Sequence, residues 1–133
     1  MTLRRSLTVR AGEIADRFEC RAEAGHTYDW AFHAEGQLTT SLELKARTAP
    51  LGAANGYQHL EQLAEGRTDG GWWARWEGGG ARLTLRFQPE RGTEVISGVA
   101  PGRNPAERVP LLIVRRRAAQ TVFDVLHQFE VPK

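Results

Sequence analysis

Residues 72–87 read WWARWEGGGARLTLRF, and the simplest reading is a β-hairpin. Strand side chains alternate with a period of two. Trp72, Ala74 and Trp76 therefore share one face before the glycines, and Ala81, Leu83, Leu85 and Phe87 share one face after them. Gly78–Gly80 supply the turn, because glycine enters left-handed backbone without steric cost. The alternation continues outward in both directions. Upstream, Leu7 and Val9 start the pattern, and Ile14, Phe18 and Cys20 share a face with Asp16 between them. HTYDWAFH at 26–33 sets His26, Tyr28, Trp30 and Phe32 against Thr27, Asp29, Ala31 and His33. Leu38, Leu42 and Leu44 follow, with AEGQ at 34–37 expected to be a hairpin turn. Downstream come TEVIS, the polar loop GVAPGRNPAER, VPLLIVR and TVFDVLHQF. VPLLIVR is apolar on both faces and is expected to be a central strand between two layers.

No 3.6-residue period persists beyond two turns. Residues 48–71 interrupt the alternation with Pro50, Gly52, Asn55–Gly56 and Gly70–Gly71, which predicts a long loop with one helical turn around Gln58–Leu63. The expectation is an all-β protein, an antiparallel β-sandwich or jelly roll of about nine to eleven short strands, forming a single domain over residues 1–133.

At 133 residues with 41% hydrophobic content, the chain can bury a real core. Eighteen basic and sixteen acidic residues leave a net charge of +2, with the arginines scattered in short runs. That balance argues against nucleic acid and leaves a polyanionic sugar as a partner. One cysteine, Cys20, excludes an intrachain disulfide and a cysteine-based zinc site. No segment approaches the roughly 20 apolar residues of a membrane span, and the basic start lacks the apolar run of a signal peptide. The chain is expected to be soluble, and periplasmic or extracellular if it is cut from an exported precursor.

The chemistry-bearing residues are few. Of four histidines, His26 and His33 face opposite sides by parity, and His33, Asp29 and His59 meet only if the long loop folds over their strand. No metal and no cofactor is expected. Ser6, Ser41 and Ser97 lack a nucleophile elbow, Cys20 falls on a core face, and the glycines of WEGGGAR precede a strand rather than the helix a phosphate loop needs. Aromatics give the sharper signal. In WWARWE, at least one indole lies opposite the core face, where Trp73 can stack on a sugar ring and Arg75 can pair with a sugar carboxylate.

Four segments taken in order carry a resemblance: LRRSLTVRAGEIADRFECRAEAGHTYDWAFHAEG, ANGYQHL, WWARW, and RGTEVISGVAPGRNPAERVPLLIVRRRAAQTVFDVLHQFE. Their order and spacing resemble the C-terminal β-sandwich portion of heparinase II/III-like polysaccharide lyases, the group that includes oligoalginate lyases. The resemblance implies a sandwich that follows an (α/α) toroid, with substrate held between them. It implies β-elimination at a uronic acid, in which a base takes the proton beside the carboxylate and an acid protonates the leaving oxygen. In that family a Tyr and a His or Asn of the toroid do this work, and a metal-bearing histidine segment opens the sandwich. The chain contains neither, so it is expected not to be catalytic alone, and its standing as an enzyme stays open.

The resemblance further implies that the strand with His26, Tyr28 and His33 presents a histidine toward the substrate cleft. These three are the catalytic candidates; Trp73, Arg75, Arg103 and His59 are the substrate-binding candidates. The expected partners are an acidic polysaccharide or oligosaccharide and either a separate catalytic toroid chain or further copies of this chain, since a sandwich with unpaired edges is sticky. Two alternatives stay open: an independent carbohydrate-binding module, and a small stand-alone uronan lyase with a histidine base and Tyr28 as acid.

Overall fold

A computed structural model of the chain describes residues 1–53, 56–102, 104 and 107–131. Nine strands run through the described residues: β1 (Thr2–Arg10), β2 (Glu13–His33), β3 (Gln37–Thr40), β4 (Lys45–Ala46), β5 (Glu61–Thr68), β6 (Trp72–Gly78), β7 (Ala81–Phe87), β8 (Thr93–Pro101) and β9 (Arg108–Glu130). All pairings are antiparallel, and the fold is all-β and sandwich-like.

Two long strands hold the sheet together. β2 and β9 pair from Glu13↔Gln128 to His33↔Leu111. On its other side, β9 changes neighbour half-way: its first half pairs with β8 (Glu94↔Arg115 to Pro101↔Arg108) and its second with β7 (Arg82↔Glu130 to Phe87↔Val125). One layer is therefore β1–β2–β9–β7–β6–β3, and the other is β2–β9–β8–β5–β4, with β2 and β9 bending from one into the other. The corner is an irregularity in the ladder, where β2 advances from Arg21 to His26 while β9 advances only from Ala118 to Gln120. Ala119 has no register partner on β2, and its carbonyl accepts the Tyr28 hydroxyl at 3.0 Å. Bulged corners of this kind let one strand serve two layers.

The main core lies between the layers. Tyr28, Trp30, Leu112, Val114 and Val95 meet Trp72, Ala74, Trp76, Leu85, Phe87, Phe123 and Val125. Each fully buried Leu, Val or Phe here contributes roughly 1.5–3 kcal/mol. A second cluster on the outer side joins Leu63, Ile96 and Ile113, covered by Leu51, Tyr57 and Leu60. VPLLIVR feeds both, with Leu112 and Val114 facing in and Ile113 facing out, as its double-sided apolar pattern requires.

Three expectations are corrected. The strands are not all short, because what reads as two strands on each side of EAG and of RRAAQ is one bent strand in each case. AEGQ is not a hairpin turn: β3 leaves β2 and pairs with β6, Gln37 opposite Glu77. Gly36 permits the crossing, since a Cβ there would sit 2.6 Å from the Glu77 carbonyl oxygen and its φ is +117°. Residues 48–71 are not one loop either. A single 3-10 turn occupies Tyr57–His59, and β5 then follows from Glu61.

Candidate functional site

The outer face of β6 holds Trp73, Arg75 and Glu77, because Trp72, Ala74 and Trp76 are spent on the core. Trp73 is half-buried, and the Arg75 guanidinium lies over its ring, 4.7 Å from the centroid. Arg75 Nε also donates to Thr84 Oγ1 at 3.0 Å, which fixes the cation over the indole. The neighbouring row brings Arg86 opposite Trp73, and Arg86 Nε donates to Gln128 at 2.6 Å. β3 borders the platform, and the Trp73 backbone N–H donates to Ser41 Oγ at 2.9 Å. The result is an outer-face indole capped by one oriented guanidinium, with a second guanidinium on the neighbouring strand, a cationic patch to which a carboxylate can bind.

The other candidates lie apart from it. His26 is exposed and meets Tyr28 edge-on, with ring centroids 5.3 Å apart. Tyr28 is a core residue whose hydroxyl donates to the Ala119 carbonyl, and desolvation raises its pKa. His33 is exposed on the opposite face at the far end of β2, beside a concavity of about 370 Å³ that it shares with Glu107 and Val109. His59 is exposed in the 3-10 turn, and Arg103 lies outside the described residues. The structure thus unites Trp73 with Arg75 and separates the two histidines of HTYDWAFH from each other.

The 3-10 turn before β5 does reach β2, but it delivers Tyr57 rather than His59. Arg115 grips Asp29 with two hydrogen bonds of 2.7 and 2.8 Å, and the Tyr57 hydroxyl donates to the same carboxylate. Burial works against the Asp29 charge, yet the Arg115 and Tyr57 hydrogen bonds outweigh it and hold the carboxyl below its ordinary range. Burial and the same carboxylate push the Tyr57 hydroxyl up. Among the described residues, no three metal-ligating side chains come together.

A second aspartate of β2 faces inward. Asp16 has no exposed side-chain surface and receives Arg5 of β1 through bonds of 2.9 and 2.6 Å, while His127 Nε2 stands 3.4 Å away. Burial opposes the charge; His127 and Arg5 together overcome it and keep the Asp16 carboxyl below its ordinary range. A third ionic group, Arg116, is buried over the Phe123 ring and donates to Thr93 Oγ1, Thr121 Oγ1 and the Val122 carbonyl, all neutral acceptors.

No protein-family model matches the chain, and no curated protein matches it significantly in sequence. Function therefore has to be argued from the surface itself. Sequence reasoning missed both aspartate clusters, although one signal was present: a charged residue at the centre of the apolar Ile14, Phe18, Cys20 series must be paired if that face is buried. Asp29 and Arg115 lie in direct register on β2 and β9, a juxtaposition that only the strand pairing creates.

Proposed function

We propose that the chain is a β-sandwich module of a heparinase II/III-like polysaccharide lyase that contacts a uronic-acid polysaccharide without cleaving it alone. The observation that carries this reading is the Trp73 indole held on the outer face under the Arg75 guanidinium, with Arg86 opposite. The order of the four segments that resemble the family supports it independently. An independent carbohydrate-binding module would use the same platform, and the continuous core between the two layers favours a unit able to fold by itself. A stand-alone lyase has less support, since the Tyr28 hydroxyl donates to the Ala119 carbonyl and His26 and His33 face opposite sides.

Calorimetry with alginate and heparin oligosaccharides tests the platform. Acidic oligosaccharides are expected to bind and neutral ones of equal length not to. Trp73→Ala is expected to weaken binding at least about tenfold, equivalent to about 1.4 kcal/mol. Equal binding of neutral sugars, or full affinity in Trp73→Ala, would sink the proposal.

A further inference from the structure

β1 is the longest strand with every residue exposed, nine in all, and β2 is its one partner among the described residues. Its outer edge leaves a row of backbone donors and acceptors unpaired, a ready template for another strand. The two faces of that edge differ in chemistry. Leu3, Leu7 and Val9 are in register with Cys20, Asp16 and Ile14, so they extend the inner face beyond the core, where they stay 54, 58 and 73% exposed. Arg5, the fourth member of this row, is already bound to Asp16. The opposite face presents Thr2, Arg4, Ser6, Thr8 and Arg10. Arg4 and Arg10 stand opposite Glu19 and Glu13 of β2 without forming an ion pair among the described residues, and Arg4 borders a concavity of about 530 Å³ lined by Arg17 and Arg21 as well as by Glu19 and Glu90.

We infer that the β1 edge is a docking site for an extended segment of another polypeptide in which apolar and acidic residues alternate. Added antiparallel to β1, such a strand would lay its apolar side chains on Leu3, Leu7 and Val9 and its carboxylates against Arg4 and Arg10. Period-two alternation delivers both at once. A second copy of this chain fits less well. β1 carries three arginines and no acid, and two-fold pairing about Ser6 would set Leu3 opposite Val9 but Arg4 opposite Thr8 and Arg5 opposite Leu7. Arg5 being held by Asp16, Arg4 and Arg10 of both copies would then share one ribbon without a carboxylate from either β1, and Arg4 of each copy would stand diagonal to Arg10 of the other, which like-charge repulsion opposes. The site is separate from the β6 platform and stands whether or not an oligosaccharide binds there.

Fluorescence anisotropy on the full chain with two short acetylated peptides, one alternating glutamate with valine and one alternating lysine with valine, tests the assignment. The acidic peptide is expected to bind about tenfold or more tightly than the basic one, and its affinity to fall with added salt. Leu7→Asp is expected to abolish binding, and the double variant Arg4→Glu with Arg10→Glu to reverse the preference. Leu7→Asp sets a carboxylate opposite Asp16, and the double variant sets glutamates opposite Glu19 and Glu13. The neutral replacements Leu7→Ser and Arg4→Gln with Arg10→Gln therefore serve as controls: they add no like charge, are expected to unfold like the wild type, and should weaken binding and erase the preference respectively. Equal binding of both peptides, or none, would overturn the inference. So would sedimentation showing a dimer that Leu7→Asp dissolves, since the occupant would then be a second copy.

Discussion

Asp16 and Asp29 sit on the same strand, and each is gripped by an arginine through two hydrogen bonds, yet their surroundings are opposite. At Asp16 the carboxylate is the buried partner, with its side chain fully enclosed while that of Arg5 is 51% exposed. At Asp29 both partners are largely but not fully sheltered, at 18% exposure for the aspartate and 12% for Arg115. An ion pair therefore has a vulnerable side, namely whichever charge is stranded away from water when the other is removed. The inner pair fastens the edge strand β1 to β2, and the outer pair joins β2 to β9 and offers the carboxylate to which the Tyr57 hydroxyl ties the loop before β5.

The largest effect is expected at the inner pair, and it is asymmetric. Arg5→Ala strands a buried carboxylate and should cost about 3 kcal/mol, the range for breaking a buried pair. Asp16→Asn lets Arg5 swing into solvent and should cost less, about 1–2 kcal/mol. Urea unfolding of the two variants reads the difference directly, and equal losses would refute the asymmetry. At the outer pair, Asp29→Asn leaves Arg115 partly sheltered without its counter-charge, at an expected cost of about 2 kcal/mol. Tyr57→Phe removes one hydrogen bond to a charged group, about 1.5 kcal/mol at most. Its clearest sign should be faster hydrogen exchange around Tyr57–Leu60 with the main core unchanged.

The pH dependence has a definite sign. Both carboxyls are held below their unfolded values, so the stability they add is present above the ordinary aspartate pKa of about 3.9 and is lost as pH falls through the lowered values. Thermal unfolding between neutral pH and pH 3 should show a steepening loss below about pH 5. Asp16→Asn and Asp29→Asn should each flatten part of that loss. An unchanged slope in both variants would show that other groups govern acid unfolding.

Much of the fold was legible because period-two patterning survives wherever one face is buried. The 72–87 hairpin lies as its alternation requires, with Trp72, Ala74 and Trp76 inward. The bent strands were not legible as single strands. In β9 the inward positions are even at Leu112 and Val114 and odd at Phe123 and Val125, so the phase slips through the polar segment between them. In β2 the ladder breaks between Arg21 and His26. Phase slips look like turns when only one sequence is read, because a corner and a hairpin both interrupt alternation. The departure of β3 toward β6 was hidden for a related reason, since Gly36 serves a close crossing as well as a tight turn.

The candidate site divides along the same line. Trp73 and Arg75 are two apart on one strand, so parity alone put them together. Asp16 with Arg5 and His127, and Asp29 with Arg115 and Tyr57, come from segments far apart in the chain, and only the register joins them.

The most direct test of the functional account is a titration of the purified chain with alginate oligosaccharides, following tryptophan fluorescence and unsaturated-uronate absorbance in one cuvette. The account predicts a saturable fluorescence change, absent in Trp73→Ala, with no new absorbance. Unsaturated product formed by this chain alone would contradict it, as would a fluorescence response that survives the loss of Trp73.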